Sequence, residues 1–216
     1  MRVASAASSC PEPLANDTSY IRAWALTGFG DFIISKGADP IEMLESVGID
    51  PRALDRPDML IPFARMGALL EMAARKLGAA SLGLEWALSI PAHLSDTGPM
   101  LLLAEATETF GAWLERSVHY WRLQTNAVTP QVVYHGDLDA VGVRIARNGS
   151  QAVLRQYAEH IAGKITRLAR AILDDEVDPI RVSFRHARPD DTALHDLLFR
   201  CRLEFGASHA EILFHR

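Results

Sequence analysis

The sequence predicts an α+β fold: an N-terminal helical part, then a small, mostly antiparallel sheet covered by a long central helix, in one compact body. Two observations carry this. Between residues 148 and 174, Leu154, Tyr157, Ala158, Ile161, Ala162, Ile165, Leu168, Ala169 and Ile172 recur at three- and four-residue spacing, the signature of one helix face. On both flanks the apolar period falls to two, in VVY at 132–134, VGVRI at 141–145 and IRVSF at 180–184. A long amphipathic helix between strands buries its stripe against the sheet those strands form. Arg155, Glu159, Lys164 and Arg170 fall off the stripe and are expected in water. Ser150 is placed to cap the first turn, and Lys164, Arg167 and Arg170 complement the dipole toward the other end.

Everything upstream of Thr125 reads as helical. In YIRAWALTGFGDFIISKG, Ile21, Trp24, Phe29, Phe32 and Ile33 fall on a helical stripe. Asp39 can cap the next helix, with Pro40 at its first position and Glu42 able to reach back. Asp50-Pro51 repeats the device over a short turn. A helix opening at Ile61-Pro62 is lined by Phe63, Met66, Leu70, Ala73 and Leu77 and stops at Gly78; another, ASLGLEWALSI, runs to Pro91. In the linker AHLSDTGP, Thr97 or Asp96 can cap a further helix. TETFGAWLERSVHYWRLQ at 107–124 is the most aromatic helix, with Phe110, Trp113, Leu114, Val118 and Trp121 inward and Tyr120 beside them. The strands joined by HGDLD form a hairpin whose Gly136-Asp137 suits the turn. Beyond IRVSF, helix DDTALHDLLF precedes two short strands, RLEF and EILF, joined by GASHA. The body is expected over 18–216, helical to about 125 and α+β from about 126, with 1–17 a disordered leader lacking a signal-peptide core.

Composition excludes several classes. The net charge is −5, unlike a nucleic-acid-binding surface with its basic excess. No apolar run nears the ~20 residues a bilayer span needs. With only Cys10 and Cys201, a disulfide framework is not expected, and a cytoplasmic location is. There is no dinucleotide fingerprint, P-loop, nucleophile elbow or H-E-x-x-H motif, so no catalytic residue, cofactor or metal is assigned. Gly28-Phe29-Gly30 sits in a helical pattern and follows no strand. The eight histidines lie on separate elements without i,i+4 pairs, and Asp174, Asp175, Glu176 and Asp178 read as a solvated helix end.

The best functional signal is aromatic. Phe110, Trp113, Tyr120, Trp121 and Tyr157 concentrate on two helices predicted to face each other, and small-molecule pockets are mostly apolar and aromatic with a few polar groups. Gly163 and Gly142 remove bulk where space beside the rings is needed. His160, on the edge of the central stripe, offers a polar handle, and Arg144 faces the opposite side of its strand from Val143. Trp113, Tyr120, Trp121, Tyr157 and His160 are therefore the candidate ligand-binding residues. The competing account is a filled hydrophobic core with a hydrogen-bonded histidine.

Several segments together resemble a known family. SKGADPIEMLESVGIDPRALDRPDMLIPFARMGALLEMAARKLG and ATETFGAWLERSVHYWRLQ are similar to the N-terminal region of AraC-type transcription regulators, in the branch with an arabinose-binding-like domain. The most specific piece is PIRVSFRHARPDDTALHDLLFRCRLEFGASHAEILF. There Val182, Phe184, His186, Pro189, Phe199, Phe205, Gly206 and Ala207 match the family pattern. Arg200 stands where glycine is usual and Arg202 where proline is common. The resemblance implies a regulatory domain that senses a small-molecule effector, and a homodimer. It implies contact with DNA only through a C-terminal helix-turn-helix domain absent from this chain, which would then be an isolated N-terminal domain. The family label does not make arabinose the ligand. The alternative is ligand-independent dimerisation through helical faces such as 20–36. Nothing in the residues supports an enzyme or a membrane partner.

Overall fold

The computed structural model describes residues 18–91, 109–147, 154–173 and 177–216. The expected leader 1–17, the caps at Asp96, Thr97 and Ser150, and the acidic residues 174–176 lie outside them. The architecture is α+β. A five-stranded sheet has the order β3-β4-β7-β5-β6, built from β3 (Val128–His135), β4 (Ala140–Arg147), β5 (Arg181–Ser183), β6 (Arg202–Glu204) and β7 (Ala210–His215). All its pairings are antiparallel except β5 with β6, which are joined by α7 (Ala193–Phe199) as the crossover that parallel neighbours require. RLEF and EILF are thus not partners, because β7 inserts between β4 and β5. At the β3–β4 hairpin the left-handed residue is Asp139 (φ 45°), not Gly136.

The helical part holds α1 (Phe29–Ser35), α2 (Pro40–Ser46), α3 (Phe63–Leu77), α4 (Leu82–Ser89) and α5 (Phe110–Tyr120), which runs on as a 3₁₀ turn over Trp121–Leu123. Several local expectations are met: the Asp39 side chain accepts from Ile41 N at 2.8 Å, Asp50 accepts from Arg52 N at 2.9 Å, and Gly78 ends α3 at φ 61°. Glu42 does not close a capping box but pairs with Lys76 at 2.8 Å. The wholly helical expectation is corrected at the start. Tyr20–Arg22 (β1) pairs antiparallel with Leu60–Pro62 (β2), and a 3₁₀ turn and Gly28 (φ 73°) precede α1. Ile21 and Ile61 are buried there, and Arg22 N donates to Gln124 O at 2.8 Å, so long-range pairing overrides the local helical stripe. That stripe is consequently core: Ile21, Phe29, Phe32 and Ile33 are all buried.

The central helix, α6 (Arg155–Leu173), lies between the sheet and the helical part and is buried on more than one side. Tyr157, Ile161 and Ile165 meet the sheet. The opposite flank clamps α4 along its length. Gln156 Oε1 accepts from Gly83 N at 2.8 Å, satisfying an orphan helix-start N–H that Ser81 leaves uncapped. At the other end the Arg167 guanidinium donates to the carbonyls of Ala87 and Ile90, where the helix dipole favours a cation. Gly163 and Gly142 do not leave room beside the rings. A Cβ on Gly163 would meet Ala87 Cβ at 3.0 Å, and one on Gly142 would fall 2.0 Å from Ile212 O. Arg200, in the glycine position, adopts φ 51° and reaches Asp178 at 2.7 Å.

Candidate functional site

On the sheet-facing side of α6, α5 crosses the end of β3 and β4 and the three do not close completely. A cavity of about 70 Å³ remains, bordered by Trp113, Ser117 and Trp121 from α5 and its 3₁₀ extension, Val143 from β4, and Ile161 and Ile165 from α6. Gln124 and Lys164 also reach its wall. Trp113, Ser117 and Trp121 share a face because i,i+4 positions on a helix are neighbours. Phe110 stacks on Trp113 at 5.4 Å and meets Phe214 edge-on at 5.0 Å, which locks the start of α5 to the sheet. Ser117 Oγ and Trp121 Nε1 are buried with no hydrogen-bond partner among the described residues. Leaving such a group unmet costs roughly 1–3 kcal/mol.

A second cavity of about 60 Å³ lies further along α6, lined by Tyr157, Phe63, Val128, Val182 and Phe184 among others. It shares Val143, Ile161 and Ile165 with the first. Three apolar side chains therefore form the partition between the two spaces, and both exceed the roughly 10–15 Å³ that one water occupies.

The candidate residues divide between these surroundings. Trp113 and Trp121 border the first cavity, and Tyr157 borders the second, where its ring meets Phe63 edge-on at 5.1 Å. Tyr120 is 42% exposed on the outer face of α5, one position from Trp121 and so roughly 100° round the helix. His160 is buried on the α4 flank, stacked on Trp86 at 3.8 Å with Nδ1 donating to Gly83 O at 3.2 Å, and it lines neither cavity. Arg144 alternates to the opposite sheet face from Val143, where it donates to Glu211 at 2.8 Å; Arg181 lies 3.1 Å and His135 3.3 Å from the same carboxylate.

Burial, with Lys164 nearby as the lesser cause, holds the His160 imidazole well below its ordinary value near 6.5. Burial also lowers His186. The folded protein keeps both rings neutral where the unfolded chain has begun to take protons. Stability is therefore expected to fall as pH drops through about 6.5 toward the depressed folded values. Melting temperature measured from pH 7 to 5 checks this. His160→Gln, which keeps a donor for Gly83 O, should flatten the slope, and an unchanged slope would place the acid sensitivity elsewhere.

The sequence reading missed a buried polar cluster. Glu159, expected in water, is 0% exposed. Its Oε1 accepts from Arg155 Nε at 2.8 Å and from His195 Nε2 at 2.9 Å, and His186 Nε2 stands 3.5 Å away. The buried Thr166 lies two helical turns on from Glu159 and shares its side of α6, off the apolar stripe. Among the described residues no group of His, Cys, Asp and Glu is arranged to hold a metal ion. No helix there is long and apolar enough to cross a membrane. Ser117 and Gln124 were also passed over, because polar residues beside the tryptophans do not register in an apolar count, and Lys164 on α6 was expected in water but reaches the cavity wall.

A family model described as the N-terminal arabinose-binding domain of AraC transcription regulators matches residues 37–216. The chain belongs to this family of transcription-regulator domains. The HTH-type transcriptional regulator VirS of Mycobacterium tuberculosis is 27% identical over 190 residues, covering 87% of this chain and 55% of VirS. The crystal structure of transcriptional regulator CdpR from Pseudomonas aeruginosa superposes with a TM-score of 0.62 at 18% identity, covering 89% of this chain and 55% of that one. This second likeness speaks to the fold alone. The chain spans about half the length of the relatives it matches. The family groups regulatory domains of transcription factors and is not a class of enzymes.

Proposed function

We propose that this domain senses a small-molecule effector in the space between α5, α6 and the sheet. Its occupancy would control a helix-turn-helix DNA-binding unit of a longer regulator. The observation that carries the reading is the cavity at Trp113 and Trp121, where two buried polar atoms lack partners among the described residues. A ligand regulates only through different affinity for two states. Here the shared wall of Val143, Ile161 and Ile165 supplies a means, since filling one space shifts side chains that also border the other. Trp113, Trp121 and Tyr157 are the proposed contact residues; Tyr120 and His160 act at most through the helices that carry them.

A thermal-shift screen of metabolites tests this. An effector at about 100 times its Kd should stabilise by ~2.7 kcal/mol, roughly 5–10 °C for a domain of this size. Trp113→Ala should remove that shift while the variant remains folded by circular dichroism. A shift that survives would take Trp113 out of the site. Ligand-independent dimerisation is the second reading, and one observation favours it. β3 is an edge strand whose outer side pairs with no strand among the described residues, and Tyr134 on it is exposed. A melting point that rises with protein concentration, with no response to any metabolite, would favour that reading.

A further inference from the structure

The free side of β3 and the helix above it form one continuous flank. β3 runs eight residues from Val128 to His135, as long as β4, and its sequence VTPQVVYH contains no Asp, Glu, Lys or Arg. Monomers avoid long uncharged edges, because the unpaired N–H and C=O groups accept another strand. Pro130, with no N–H to donate, blunts only the start of this one. Over the edge lies α5, tied to it where the Tyr134 hydroxyl donates to Glu115. The side of α5 turned from the cavity exposes Glu115, His119, Tyr120, Arg122 and Leu123. Tyr120 is 42%, Leu123 49% and Tyr134 53% exposed, so strand and helix present large apolar side chains to the same side.

We infer that this flank is a two-fold interface with a second copy of the chain. β3 pairs antiparallel with the partner's β3, and α5 lies beside the partner's α5. This deepens the dimerisation reading given above and does not depend on effector binding. Strand length selects the occupant. Among the described strands β1, β2, β5 and β6 have three residues each, and β4 and β7 are interior, so only another β3 can cover this edge along its length. Pairing β3 with β6 of a second copy would leave free edges that propagate, whereas β3 with β3 closes. Glu115 on one hand, and Arg122 and the Arg216 guanidinium over the Tyr134 ring on the other, give the flank both signs of charge for a two-fold to match. An eight-residue edge with a helix above it spans roughly 26 Å by roughly 20 Å, about 500 Å² per copy and about 1,000 Å² for the pair, where specific interfaces begin. One face of α5 then borders the cavity and the opposite face meets the partner, so a change in the cavity reaches the interface through a single helix.

Analytical ultracentrifugation of the intact chain over a range of concentrations tests the surface. Val133→Lys sets a charge on the edge, and Tyr120→Glu sets one on the exposed side of α5. Each should raise the dimer dissociation constant about tenfold or more with an unchanged circular dichroism spectrum. Leu197→Glu, at an exposed position on α7, should stay within twofold. In a Cys10→Ser, Cys201→Ser background, single cysteines placed along 131–134 should cross-link most readily at the two-fold axis, where antiparallel pairing brings Cα atoms to about 4.5–5.5 Å. Ser117→Leu, which fills the cavity from its own wall, should shift the dimer constant about threefold or more, with Ser117→Val as the milder variant. A dimer indifferent to Val133→Lys and Tyr120→Glu, and not cross-linked, would overturn this surface alone. A chain that stays monomeric at every concentration would overturn the surface and the dimerisation reading together, leaving effector sensing to its own screen. Folded Ser117 variants with an unchanged dimer constant would overturn the link from cavity to interface.

Discussion

Gly83→Ala is expected to destabilise the domain by about 3 kcal/mol or more, a loss of roughly 6–12 °C in melting temperature. A Cβ at this position would stand 2.0 Å from the Gln156 carbonyl oxygen and 2.9 Å from its carbon. Both atoms are backbone, so no side chain can swing aside and α4 must move away from α6. That movement would stretch the Gly83–Gln156 bond, the His160 contact with Gly83 O and the Arg167 contacts with Ala87 and Ile90 together. Gly30→Ala is the control. Its Cβ would meet Leu54 methyls at 3.7 and 3.9 Å, ordinary contact, within α1. Exchanging glycine for alanine in a helix gains about 0.5–1 kcal/mol. The two substitutions should thus move stability in opposite directions in denaturant titration. A Gly83→Ala loss below about 1 kcal/mol would mean the helices are not in backbone contact.

Removing the buried carboxylate is expected to be nearly as costly. Glu159→Ala should destabilise by about 3 kcal/mol, at the low end for a broken buried ion pair because Arg155 still reaches solvent. His195 Nε2 would lose its acceptor with no water to replace it, since neither residue is exposed. Glu159→Gln keeps an acceptor oxygen for Arg155 and His195 and should cost clearly less than alanine. Urea or guanidinium unfolding of both variants decides the matter. Equal losses would show that the side chain fills space there and that its acceptor oxygen contributes nothing. The cluster ties α6 to α7 through His195 and to the segment after β5 through His186, so its loss should also loosen the β5–α7–β6 unit.

Much of this was legible from residue order. The stripe from Tyr157 to Ile165, the period-two runs at Val141–Ile145 and Val182, and the caps at Asp39 and Asp50 each express a local rule, and each forms the element that rule predicts. The placement of Trp113 and Trp121 on one inward face came from their spacing in the same way. Tyr120 was grouped with them as a ring beside the inward face, and His160 as a polar handle on the edge of the central stripe. The decisive quantity was direction: one position away from Trp121 sends Tyr120 outward, and one position before Ile161 sends His160 against Trp86. Glu159 was missed because a charge off the apolar stripe is ordinarily solvated, and only the layers on either side of α6 take it out of water.

By itself, the sequence determined the α+β class, the membership of a regulator family through its C-terminal motif, and the paired tryptophans that a pocket requires. Those properties depend on side-chain periodicity and local backbone chemistry, which act over a few residues. Tertiary structure alone decided that β7 enters between β4 and β5, that Tyr20–Arg22 is a strand, and that Gly83 and Gln156 touch. It alone left Ser117 Oγ and Trp121 Nε1 without partners among the described residues, beside a cavity. Such outcomes turn on which distant surfaces meet and how closely they fill the volume between them. Packing at that range is set by the whole body at once, and no short window of residues contains it.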